Sequence, residues 1–152
     1  MQNPKIVSFD RCEFQVAYPF PVKSKEMSHG GMRWVQYTNV WTGSTTNLRA
    51  EGYYTGPTAQ IIASLRSRLT QIGESQVLTI PVVEIQKTKL GTVGIVYGTR
   101  EYETPAGKVR LRHYNKIVVG KTSLISLMAS GPVDGFPSAE AMFFLESISI
   151  FR

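Results

Sequence analysis

One cysteine, Cys12, and two histidines, His29 and His113, are the only such residues in the 152-residue chain. A lone cysteine excludes an intrachain disulfide and an all-cysteine metal site, and two distant histidines do not define a zinc site. Cys12 falls in an alternating segment and reads as a small buried hydrophobe. Apolar runs are short as well: none approaches the roughly 20 residues of a membrane helix. The opening MQNPKIVSFDR lacks the apolar stretch of a signal peptide, which reads as a cytoplasmic protein or as the mature portion of an exported envelope or periplasmic one.

Catalytic patterns are equally scarce. There is no Gly-x-Ser-x-Gly elbow. Gly120-Lys121-Thr122 resembles the end of a phosphate loop, but Asn115 stands where that loop needs its first glycine, and a strand follows where a helix is required. Glu101 and Glu103 share one strand face among basic neighbours that keep both ionised, so neither is set up as an acid. His113 lies in the apolar phase of its strand and reads as a structural histidine, and a thiol pair with Cys12 requires the fold to bring their tips together. The expectation is a protein without catalysis, metal or cofactor.

The stretch that is present, and around which the rest is arranged, runs from Gly91 to Ala129. Pro105-Ala106-Gly107 and Gly120-Lys121 break it into three extended segments, a β-meander. In the middle segment Val109, Leu111, His113, Asn115, Ile117 and Val119 alternate with Lys108, Arg110, Arg112, Tyr114, Lys116 and Val118, so one side faces inward and the other is largely wet. Pairing Glu103 with Lys108 places Glu101 opposite Arg110 and Tyr97 opposite Tyr114. It also places Ile95 opposite Lys116, so a bulge is expected to bring Val93 and Ile95 alongside Ile117 and Val119.

Before the meander, residues 6–18 read as one strand stopped by Pro19-Phe20-Pro21, and Lys23 to Gly31 as a polar loop. Met32 to Trp41 reads as a strand with aromatics on both sides, and Thr46 to Tyr54 as another, in which Gly52 marks a bulge or a close approach. Gly56-Pro57 opens a helix over 59–72, with Ile62, Leu65 and Leu69 toward the sheet, Arg66 and Arg68 outside, and Gly73 as cap. Pro81 makes the strand 76–85 an edge strand or a bulged one. Thr122 to Ala129 is apolar enough to be covered on both sides, and Pro137 opens a second helix through Met142, Phe143, Phe144 and Ile148. The fold class is α+β: an antiparallel meander packed against two main helices in a single domain, 1–152.

Seventeen basic residues against eleven acidic ones give a net charge of +6. Lys87 to Lys121 holds eight of the basic residues and only Glu101 and Glu103 of the acidic ones, an excess equal to the whole. A partner-binding surface is therefore expected on Arg110, Arg112, Tyr114 and Lys116, with Trp34, Tyr37 and Trp41 as its aromatic part, Arg112 and Lys116 being the freer cations. The same pattern is what a solvated sheet face and ordinary strand packing produce.

The layout resembles a known family. The opening strand ends Phe14-Gln15-Val16-Ala17-Tyr18-Pro19, and Met128-Ala129-Ser130-Gly131 closes the meander. Phe136-Pro137 then precedes a helix ending Leu145-Glu146-Ser147-Ile148. This looks like the PsbP-like family, which includes bacterial DcrB-like envelope proteins, photosystem-associated lumen proteins and Ran-binding nuclear-import factors. The resemblance implies a helix-and-sheet sandwich and an accessory or assembly role, and transfers no active site. A cystatin-like or nuclear-transport-factor-like sheet is the alternative fold. By function the chain reads as a protein-binding module for a partner that is acidic. The alternative is a binder of nucleic acid or acidic lipid, and behind that a small enzyme whose site assembles from distant residues.

Overall fold

A computed structural model describes residues 4–19, 23–29, 32–38 and 47–151, the two middle stretches as backbone. Its elements in chain order are β1 (Lys5–Ser8), β2 (Phe14–Tyr18), β3 (Lys23–His29), β4 (Met32–Thr38), β5 (Asn47–Tyr54), α1 (Ala59–Ala63), α2 (Leu65–Ser75), β6 (Thr79–Thr88), β7 (Gly91–Thr104), β8 (Gly107–Val119), β9 (Ser123–Pro132), α3 (Ala139–Glu146) and β10 (Ser149–Ile150). Seven strands form one antiparallel sheet in the order β3-β4-β5-β9-β8-β7-β6, and three form a small one, β1-β2-β10. The α+β class holds, with the two main helices on opposite faces of the large sheet.

That placement divides the core. Between the large sheet and the layer made of the small sheet and α3 lie Phe14, Val16, Tyr18, Leu48, Val118, Ile125, Leu127 and Phe144, all buried. Under α2, on the opposite face, Leu65 and Leu69 meet Val96, Ile117, Val119 and Leu124. Strand β9 stands fourth of the seven and is covered on both faces, as its apolar sequence requires. Two glycines allow close approach. A Cβ on Gly94 would come within 2.7 Å of Leu69, so its absence lets α2 settle on β7, and one on Gly52 would meet the Phe9 ring at 2.8 Å. Gly52 therefore marks a close approach within a regular register, with no bulge beside it.

The turn after β8 joins the layers. From the small-sheet side the Glu13 carboxylate accepts from Lys121 N (3.2 Å), Thr122 N (2.7 Å) and Ser123 Oγ (2.9 Å). From the helical side Thr58 Oγ1 donates to Gly120 O at 2.6 Å, and the amides of Thr55 and Gly56 donate to Thr122 O. Burial would raise the Glu13 pKa, but the amides of Thr122 and Lys121 and the Ser123 hydroxyl outweigh it and hold the carboxyl below the ordinary glutamate value. The opposite end of the small sheet is closed by Ser147. Its Oγ accepts from Ala17 N at 2.9 Å and lies 2.7 Å from Phe144 O and 3.0 Å from Ala17 O, one of which takes its proton.

Several expectations need correction. Residues 6–18 form a hairpin instead of one strand, because Arg11 adopts φ 57° and Cys12 N bonds Phe9 O, closing a turn without glycine or proline. Residues 23–29 are a strand, β3, at the sheet edge, where backbone pairing to β4 needs no apolar side chains. The helix over 59–72 is broken at Ser64, where φ is −102° and ψ is 8°; Ile62, on the short first piece, is 36% exposed while Leu65 and Leu69 remain buried. Gly73 is a buried helical residue and Gln76 ends the helix. β7 and β8 pair without a bulge from Thr92↔Val119 to Thr104↔Gly107. Burial on both faces removes the need for one. Pro81 does what its type predicts: β6 is the other edge strand, and its register shifts between Thr79 and Val82.

Two outcomes test this architecture. Leu65→Ala should cost about 2 to 5 kcal/mol in reversible denaturation, whereas Ile62→Ala should cost far less; equal costs would show that α1 does not turn away from the sheet. Glu13 bonds its partners as the carboxylate, so its contribution is complete above the ordinary glutamate pKa of about 4.3 and is lost as pH falls through its lower folded value. Urea midpoints should then drop more steeply with acid in the native protein than in Glu13→Gln, and identical acid profiles would remove Glu13 from the account.

Candidate functional site

Strand β8 carries the expected basic row from bare ribbon into the core. Lys108, Arg110 and Arg112 are exposed, Tyr114 and Lys116 half-buried, and Val118 buried. Arg110 Nε lies 3.9 Å from Glu101 Oε1 with both side chains well exposed, a contact of small energetic weight. Arg112 Nη1 donates to Phe136 O at a long 3.4 Å. Tyr114 stacks on Tyr97 with centroids 5.5 Å apart and planes at 12°, the cross-strand pair anticipated from the register. Burial raises the Tyr114 pKa, and Glu84, Tyr97 and Glu146 add to it.

Lys116 differs from its expected role as a free cation. Its Nζ donates to Leu145 O, in the last turn of α3, at 2.9 Å. Burial pushes its pKa down and Glu146 opposes the shift. The amine therefore serves the unpaired carbonyls and negative end of the helix, which is how a lysine is accommodated opposite Ile95.

The aromatic part does not join this row. Trp34 and Tyr37 lie on β4, in register with Glu51 and Leu48, and β5 and β9 stand between β4 and β8. Trp41 lies outside the described residues. Arg110, Arg112, Tyr114 and Lys116 are thus one group, and Trp34 and Tyr37 are placed apart from it.

The outer end of the β7–β8 ribbon is unflanked. β9 pairs with β8 no further than Leu111, and β6 reaches β7 only at Thr99. Val133 N still donates to Arg110 O at 3.2 Å, and from Tyr102↔Val109 to Thr104↔Gly107 no third strand among the described residues lies beside the pair. Arg100, Lys108, Arg110 and Arg112 surround this end with only Glu101 and Glu103 opposing them. At its base Arg100 lies 4.4 Å over the Tyr102 ring, and the Tyr102 hydroxyl is 3.0 Å from His113 Nε2. His113 Nδ1 is buried and has no hydrogen-bond partner among the described residues. Desolvation and the Arg100 charge lower the His113 pKa, favouring the neutral ring. Cys12 belongs to the core on the other face and points its thiol at Leu124 O, 3.5 Å away, so Cys12 and His113 form no pair. Among the described residues no group of three or more His, Cys, Asp or Glu is placed to hold a metal ion, and no helix is long and apolar enough to cross a membrane.

A cleft of about 360 Å³ lies beside α2, with Ile61, Leu65, Ile72, Ile117 and Leu124 in its lining and Glu51, Tyr53, Arg68, Gln71, Ser75 and Ser126 supplying polar groups. Sequence reasoning placed Arg68 outside as a solubilising charge and did not see the cleft. The signal for it was the line Arg68, Gln71, Ser75 running along α2 beside its apolar stripe, the boundary a helix shows when it covers only part of a sheet.

No family profile and no curated relative matches the chain. A solved protein from Bacteroides thetaiotaomicron VPI-5482 is similar to it in structure, with a TM-score of 0.56 and 14% identity over 92% of this chain and 46% of that one. The chain spans about half the length of that protein, and the likeness is one of fold.

The position of Lys116 yields a direct test. Lys116→Met keeps the aliphatic stem and should cost about 1 to 2 kcal/mol through the lost charged hydrogen bond, while Lys116→Glu, which sets a carboxylate against the α3 carbonyls and Glu146, should cost clearly more. Urea denaturation showing Lys116→Glu as stable as the native protein would mean that α3 is not held in this way.

Proposed function

We propose that this domain is a non-catalytic binding or assembly module that meets an acidic protein partner through the unflanked end of the β7–β8 ribbon. The observation that carries the reading is that, among the described residues, no neighbouring strand lies beside Tyr102–Thr104 and Gly107–Val109. These residues bury little of the protein's own surface, and the adjoining Lys108, Arg110 and Arg112 keep cationic groups in solvent. Exposed cations on a preformed ribbon steer an anionic surface toward it and fix its register. Tyr114, half-buried and stacked at the inner end of the row, offers a rigid aromatic edge beside the cations. The sequence's resemblance to the PsbP-like family, whose members are mostly accessory proteins, favours the same reading. Lys116 is left out of the contact because α3 holds its amine.

The test reverses charge where the fold depends on it little: Lys108 is exposed, and Arg112 makes only the long bond to Phe136 O. Lys108→Glu combined with Arg112→Glu should leave the thermal midpoint nearly unchanged and reduce capture of acidic partners from native extract at least about tenfold. A folded double variant with undiminished capture would overturn the reading. Binding to duplex DNA, single-stranded DNA and anionic vesicles at low and high salt separates the alternative: loss of salt-sensitive phosphate binding with protein capture intact would identify an anionic polymer or lipid surface as the ligand.

A further inference from the structure

The cleft beside α2 is remote from the ribbon's tip and has a composition of its own. Its lining combines apolar side chains from α1, α2, β8 and β9 with charges of opposite sign, Glu51 on the sheet strand β5 and Arg68 on α2. At about 360 Å³ it is the size of a small-molecule site. The two charges do not neutralise one another: among the described residues neither Glu51 nor Arg68 makes an ion pair. Ser64 Oγ accepts from Arg68 Nε at 3.1 Å, which orients the guanidinium and leaves its outer nitrogens available. Tyr53 stands in the same lining and responds to both, its pKa raised by burial and by Glu51 and opposed by Arg68.

We propose that this cleft binds a small zwitterion with an apolar side group, a free amino acid or a dipeptide, its ammonium toward Glu51, its carboxylate toward Arg68 and its side group on the apolar floor near Ile72 and Ile117. A guanidinium suits a carboxylate because its parallel N–H groups match the two oxygens. A carboxylate accepts only, which suits the several donors of an ammonium group. An apolar molecule would leave both charges without partners, and a singly charged one would satisfy one wall.

Titration of the native protein with phenylalanine, followed by calorimetry and by the amide resonances of Tyr53 and Ser126, tests this against three analogues. Phenylalaninamide removes the anion, N-acetylphenylalanine removes the cation, and Leu-Leu extends the spacing between them. Phenylalanine or Leu-Leu should bind, and each singly charged analogue should bind at least about tenfold more weakly than phenylalanine. In Glu51→Gln the difference between phenylalanine and its N-acetyl derivative should shrink, and in Arg68→Gln the difference between phenylalanine and its amide should. No response to any of the four at about 10 mM, equal binding of all of them, or stronger binding of one singly charged analogue would overturn the proposal. The analogue comparison on the native protein decides it even where a variant folds poorly.

Discussion

Four residues, Gly120 to Ser123, hold polar links from both sides of the molecule. The Glu13 carboxylate takes the amides of Lys121 and Thr122 together with the Ser123 hydroxyl, while Thr58 and the amides of Thr55 and Gly56 take carbonyls of the same turn. A turn at the end of a sheet would ordinarily leave such groups to water. Here they fasten the small-sheet layer and the start of the helical layer to one point of the large sheet. The adjacent strand carries the mark of this fastening: Val118 and Val119 are consecutive and point to opposite faces, yet both are buried. Along β8 this double cover fades away from the turn, so one ribbon is interior at one end and surface at the other.

The gradient gives the same alternating pattern different meanings along its length. Near the turn an even-numbered position is core, as Val118 is. In the middle it belongs to a boundary, where Lys116 lends its amine to a helix end and Tyr114 stacks on Tyr97. Beyond the neighbouring strands it is solvent, as with Lys108 and Arg110. The charge excess of the meander is therefore not one surface. Part of it completes α3, part is exposed beside the β6–β7 and β8–β9 turns at Lys87, Lys89 and Lys121, and part surrounds the outer end of the ribbon.

That distinction separates what could be read in the residues from what could not. The meander, its turns and the Tyr97–Tyr114 and Glu101–Arg110 pairings follow from period-two alternation and two local breakers, and Pro81 called for an edge strand or a bulge where the structure has an edge strand with an irregular register. The β1–β2 hairpin was hidden because Arg11 accepts a positive φ without glycine. β3 was hidden because an edge strand can be made of lysine and serine when its ladder, and not burial, holds it. The turning away of Ile62 goes with the backbone break at Ser64, whose φ of −102° and ψ of 8° separate α1 from α2. The commitment of Lys116 and the cleft beside α2 both arise from contacts between elements far apart in the chain, which no local spacing encodes. The separation of Trp34 and Tyr37 from the basic row is likewise a matter of strand order, since β5 and β9 intervene.

The small sheet has a consequence for the order of synthesis. β2 has β1 on one side and β10 on the other, and Gln15 bonds Ser149 across a separation of 134 residues. Its first neighbour leaves the ribosome before it, and its second emerges long after. Until then β2 has an open edge, and Phe14, Val16 and Tyr18 have no Phe144 to close over them. Contacts of such separation form late and expose apolar surface meanwhile. On a ribosome, the nascent chain would thus carry an uncovered aromatic strand until α3 and β10 emerge.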